Sequence, residues 1–157
     1  MESSELDIAF EDLAHDGPLD NQSRIELDVE ARVIITHAGR VLFDWPMVPV
    51  LELASQLRGW FAYGLGARLP FEYDSVEHTD VLFAFKPTSV GWTVEGDVVP
   101  DPPLELSEAE LRTVAEGFVE RVTTAVAALI PVDVSPILDP GRWRWRHEPP
   151  ARPPLGQ

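Results

Sequence analysis

Ile25-Glu26-Leu27-Asp28-Val29-Glu30-Ala31-Arg32-Val33-Ile34-Ile35, then Thr36-His37-Ala38-Gly39-Arg40, then Val41-Leu42-Phe43-Asp44-Trp45, is the stretch on which the fold reading turns. Apolar residues occupy every second position from Ile25 to Ile35, and Glu26, Asp28, Glu30 and Arg32 stand between them. A period of two with one charged side predicts a strand with one wet face. Gly39 tolerates positive φ, so the 37–40 segment predicts a tight turn into a second strand, giving a hairpin. Leu6, Ile8 and Phe10 alternate in the same way and predict an earlier strand over 6–13. The Asp-, Gly-, Pro- and Asn-rich run from His15 to Ser23 predicts a loop between them.

Downstream of the hairpin, Pro46 and Pro49 predict the end of a strand and the start of a helix, because a first-turn proline loses no needed N–H. Val50, Leu53, Ala54, Leu57, Trp60 and Phe61 then recur at helical spacing, with Gly64 and Gly66 as the stop. Gly59 is a poor helix former inside that pattern. Period two returns at Val81, Phe83 and Phe85. The 87–91 segment turns the chain, and Trp92, Val94, Gly96 and Val98 predict a partner strand. After the Pro100–Pro103 linker, Ser107 and Glu110 have capping-box spacing. Leu111, Val114, Ala115, Phe118, Val122, Ala125, Val126 and Leu129 predict a helix that Pro131 ends.

The expected order is therefore β-β-β-α-β-β-α. The expected fold is α+β: a single antiparallel sheet of about five strands with two helices packed on one face. One domain is expected over 1–147, followed by a disordered, proline-rich tail over 148–157.

Composition narrows the function classes. The 157 residues carry 27 acids against 12 Lys and Arg, a formal charge of -15, and no cysteine. Arg142, Arg144, Arg146 and Arg152 against Glu148 leave residues 141–157 at +3, so the remaining 140 carry -18. Such a field repels nucleic acid and anionic lipid and favours a basic protein partner. Without cysteine there is no disulfide scaffold, thiolate nucleophile or thiolate zinc site. The acidic start lacks a secretory pattern and no apolar run reaches membrane-spanning length, so a soluble cytoplasmic protein is expected.

No catalytic residues, metal ligands or cofactor are assigned. The serines lack a GxSxG elbow, the four histidines form no HExxH, and neither a Walker loop nor GxGxxG occurs. The densest polar cluster, 71–80, brings Glu72, Asp74, Glu77, His78 and Asp80 together. A metal-binding or hydrolytic enzyme using Glu72, Asp74, His78 and Asp80 is one alternative. A structural homo-oligomer is another. Gly141-Arg142-Trp143-Arg144-Trp145-Arg146 is expected as a short edge strand, with tryptophans packed on the domain and arginines paired to its acidic surface.

Three stretches carry a resemblance: Gly39-Arg-Val-Leu-Phe-Asp-Trp-Pro46 with Leu53-Ala54, Leu57 and Trp60; Phe71-Glu-Tyr-Asp-Ser75; and Gly91-Trp92 with Val94. Together they resemble short, uncharacterised actinobacterial domains and, more loosely, small acidic immunity proteins of polymorphic toxin systems. The resemblance covers about residues 25–130 and implies no active-site residues. The leading expectation is a non-enzymatic, acidic protein-binding module that occludes a basic toxin domain. Glu26, Asp28, Glu30, Glu72, Asp74 and Glu77 are expected to meet the partner's lysines and arginines.

Overall fold

In the computed structural model, residues 5–75 and 81–147 are described. Two three-stranded antiparallel sheets and two long helices make the body, in the order β-α-β-β-α-β-β-β-α, followed by a short helical segment.

The first sheet has the order β1-β2-β3, from Leu6–His15, Val29–His37 and Arg40–Pro49. Val29, Ala31, Val33 and Ile35 of β2 point into the core, as alternation requires. Ala38 and Gly39 both have positive φ, 50° and 80°, which is the two-residue turn that matches the twist of a hairpin. Pro46 is accommodated within β3 because the β2–β3 register shifts between Ala31 and Val33 and the proline has no pairing partner there.

The segment before β2 departs from the expected strand. Gln22–Asp28 is a helix, α1, capped by Asn21, whose side chain accepts from the N–H groups of Ser23 and Arg24. Ile25 and Val29, four apart, are both fully buried. Over so few residues an every-second-position pattern also fits one turn of helix, and the cap decides between them.

The central helix α2, Val50–Tyr63, is buried on nearly every side from Val50 to Leu57. It contacts α1, both sheets and the second long helix, so it is an interior helix, not a surface one. Trp60 is its anchor: its ring lies 5.6 Å from each of Phe71, Phe85 and Trp92, and its Nε1–H donates to the Leu69 carbonyl.

The second sheet, order β4-β5-β6, uses Phe71–Tyr73, Phe83–Pro87 and Trp92–Glu95. This overturns the expected single sheet. Phe71–Tyr73 is a strand pairing with β5, so β5 becomes the centre of its own sheet. The free edge of β3 is met by the turn after β6 instead of by a strand. Val98 N–H donates to the Leu42 carbonyl at 3.1 Å, and Gly96 lies so close that a Cβ there would be 2.5 Å from that oxygen. Phe43 and Phe83, 5.1 Å apart, fill the junction between the sheets.

Helix α3, Glu108–Leu129, has the N-cap half of the expected capping box: Ser107 Oγ accepts from Glu110 N–H at 3.0 Å, while the Glu110 carboxylate meets the Ser107 hydroxyl at 3.4 Å. It packs on β1, where Phe10 meets Phe118 edge-on and Arg121 donates to the Ile8 carbonyl. Residues 140–147 are not an edge strand. Pro140–Trp143 forms a 3₁₀ turn and Arg144–His147 a short helical turn, α4. The tail expected over 148–157 lies outside the described residues.

Candidate functional site

Along one line of α2 stand Glu52, Ser55, Gln56 and Gly59, a polar and small stripe in a helix whose other positions, exposed Arg58 apart, are mostly apolar. The C-terminal arginine–tryptophan segment closes over it. Ser55 Oγ donates to the Ile137 carbonyl at 2.6 Å and accepts from Trp143 Nε1 at 2.6 Å and Arg142 Nη1 at 3.1 Å. Arg142 also forks onto both carboxylate oxygens of Glu26, at 3.3 and 2.9 Å, and donates to the Ile137 carbonyl. Four residues on, Arg146 donates to Gln56 Oε1 at 3.0 Å, to the Glu72 carbonyl and to the Asp74 carboxylate. Both guanidiniums lie over the Trp143 ring, at 5.5 and 5.8 Å from its centre. Deeper in, Tyr73 OH is 3.0 Å from Glu52 Oε1. Gly59 is bare because Trp143 needs the room: a Cβ there would be 2.3 Å from the Trp143 Cβ.

A second polar surface is the outward side of the first sheet. Arg32 donates from Nε and Nη2 to the two oxygens of Asp44, at 2.8 and 2.6 Å, and from Nη1 to Glu11 at 2.7 Å. Those hydrogen bonds, Asp44's before Glu11's, raise the arginine further above its ordinary value. The Arg32 hydrogen bonds hold the Asp44 carboxyl below the usual carboxylate value. Around this bridge the surface is acidic. From Glu5 to Asp20 the chain carries Glu5, Asp7, Glu11, Asp12, Asp16 and Asp20, all exposed, with no Lys or Arg. Among the described residues, the ion pairs here join Arg32 to Glu11 and Asp44, Arg24 to Asp28, and His37 to Glu5. Val41 and Met47 are exposed apolar residues on β3.

The six expected partner-binding residues therefore do not form one face. Glu26 lies on α1, buried, and its carboxylate belongs to Arg142. Asp28 pairs with Arg24 at the end of the same helix. Only Glu30 is on β2. Glu72 and Asp74 sit at β4, with Asp74 held by Arg146. Glu77, with His78 and Asp80 of the metal alternative, lies outside the described residues. Among the described residues no three His, Asp or Glu side chains converge as a metal site.

Arg142 and Arg146 do pair with carboxylates of the body, but one of these, Glu26, is buried and not part of the surface, and the backbone carrying the arginines is helical. Glu52, Ser55 and Gln56 were not singled out in the sequence; their signal is spacing i, i+3, i+4 along a helix whose other positions, Arg58 apart, are mostly apolar. The Arg32–Asp44 bridge was not legible: the 38–39 turn by itself would set Asp44 opposite Val33, and only the register shift between Ile35 and Thr36 puts it opposite Ile34, on the side of Arg32. A cleft of about 390 Å³ between α2 and α3, lined by Arg58, Arg112, Glu116 and Glu120 among others, mixes both signs of charge.

Residues 6–127 match the profile of a family described as Domain of unknown function (DUF7878). The chain belongs to that family. The matched span runs from β1 almost to the end of α3, so the DUF7878 part holds the acidic sheet and the α2 stripe. The Arg142–Arg146 clasp lies beyond it. No curated protein and no solved structure matches the chain.

Proposed function

We propose that this chain is a non-enzymatic protein-binding module that receives a basic partner on the outward side and leading edge of its first sheet. The observation that carries this reading is the cation-free acidic run from Glu5 to Asp20 on β1 and the loop after it. Asp7, Asp12, Asp16 and Asp20 have no ion pair among the described residues. Carboxylates gathered this way raise the encounter rate with a cationic surface. Val41 and Met47 on β3 supply apolar contact beside the Arg32 bridge, which links β1, β2 and β3 on this side. Glu30 remains part of this surface from the residues expected in the sequence. Glu26 and Asp74 do not, because an arginine of the chain already occupies each carboxylate.

In its finer form the reading is a cytoplasmic immunity protein that masks a basic toxin domain by occlusion. The test uses the product of the neighbouring reading frame as the candidate partner, with on-rates measured at about 50 and about 500 mM salt. Reversing Asp7, Asp12, Asp16 and Asp20 to lysine should lower the on-rate at least tenfold at low salt and flatten its salt dependence. An on-rate unmoved by either change would overturn the electrostatic reading. Cell survival when the two genes are expressed together tests the immunity form.

A further inference from the structure

The polar stripe on α2 is covered by the chain's own C-terminal segment, which meets it side chain by side chain. Ser55 and Gln56 are at most 2% exposed and Glu26 8% exposed. Buried polar groups need partners, and segment 137–146 supplies most of those seen here: the Ile137 carbonyl, both guanidiniums and the indole N–H. The recognition is specific to side chains. A carboxylate takes a forked arginine, a hydroxyl takes an indole N–H, and the bare Gly59 backbone takes the tryptophan's Cβ. Arg142, on Glu26 and Ser55, and Arg146, on Gln56 and Asp74, stand four residues apart, and both guanidiniums lie over the Trp143 ring. The groove lies within the DUF7878 span, whereas its occupant lies outside it.

We propose that the α1–α2–β4 groove is a receptor site for an Arg-Trp-x-x-Arg peptide segment of a partner protein, and that residues 142–146 occupy and gate it in cis. The site is separate from the acidic sheet surface, so the two stand or fall independently. Tethering gives the internal segment an effective concentration in the millimolar range, so an external peptide competes poorly until the clasp is released.

The experiment uses the full chain and a fluorescein-labelled peptide with the sequence of residues 139–147, read by anisotropy. The double variant Arg142→Ala/Arg146→Ala should bind the peptide saturably and at least tenfold more tightly than the wild type. Adding Glu26→Gln to that variant should weaken binding at least tenfold, and a scrambled peptide of the same composition should not bind. Where the double variant fails to fold by circular dichroism, Arg146→Gln, which touches the outer end of the groove, reads the same competition. A folded, released chain that binds the peptide no better than wild type would sink the proposal, as would equal binding of the scrambled peptide. Concentration-dependent dimerisation of the wild type by light scattering would assign the groove to a second copy and overturn the partner-protein form.

Discussion

A methyl group at position 59 would lie 2.3 Å from the Cβ of Trp143, far inside contact distance. In an exposed helix, Gly→Ala stabilises by about 0.5–1 kcal/mol. Here the overlap outweighs that gain, because either α2 or the clasp must move. Gly59→Ala is expected to destabilise by about 1–3 kcal/mol, with a red shift in tryptophan emission as Trp143 leaves its notch. At the other polar surface, Asp44 titrates below an ordinary carboxyl because Arg32 bonds its ionised form. A folded-state value lowered this way contributes stability above the unfolded-state value, about 3.9, and loses it as pH falls through the folded one. NMR titration should therefore find Asp44 below that reference, and Arg32→Ala should return it upward. An Asp44 value unmoved by Arg32→Ala would mean that the bridge is not formed in solution.

At the scale of elements, local chemistry and tertiary context divide the chain. Helix α3 is declared by its own residues: Ser107 caps it, Glu110 answers, and Leu111, Ala115, Phe118, Val122 and Val126 form its buried side. Ser107→Ala should cost about 1 kcal/mol, measured by denaturant midpoint at unchanged slope. The β2–β3 hairpin is declared by Ala38-Gly39 and by the alternation on either side. By contrast, Phe71–Tyr73 is three residues long, too short for any period to show, and is a strand only because β5 lies beside it. Residues 25–28 offered a strand's alternation, yet Asn21 and the docking of Ile25 on the core made a helix of Gln22–Asp28. The 140–147 segment alternates Arg and Trp as an edge strand does. Its arginines, four apart, instead reach Glu26 and the Gln56–Asp74 end of the groove from one helical side.

Across the whole molecule, two of the contacts that join parts distant in sequence can be tested singly. One is the junction of the sheets, where Phe43 meets Phe83. Phe43→Ala should cost about 3–5 kcal/mol because it empties a fully buried site. For a chain of this size that is a fall of roughly 6–20 °C in Tm. The other is the clasp, which ties residues 137–146 back to α1, α2 and β4. Glu26→Gln keeps the shape but removes the charge facing Arg142, and since Arg142 is partly exposed the expected loss is about 1–2 kcal/mol. Hydrogen exchange should rise in 140–147 in this variant while α3 keeps its protection. A uniform rise would show that the clasp is integral to the body.

The order of the main hairpin and of both long helices, the caps and the acidic excess were determined by composition and by residues close together in the chain. Periodicity and capping act over four to eight residues, and charge needs no fold to be counted. What tertiary structure decided was partnership. It set β4 against β5 and so split one sheet into two. It also turned Glu26 from an outward carboxylate into a buried one, and it brought a polar stripe of α2 under an arginine clasp about 90 positions away. Those outcomes depend on which surfaces meet when α2 is buried on nearly every side from Val50 to Leu57, and no local pattern encodes that.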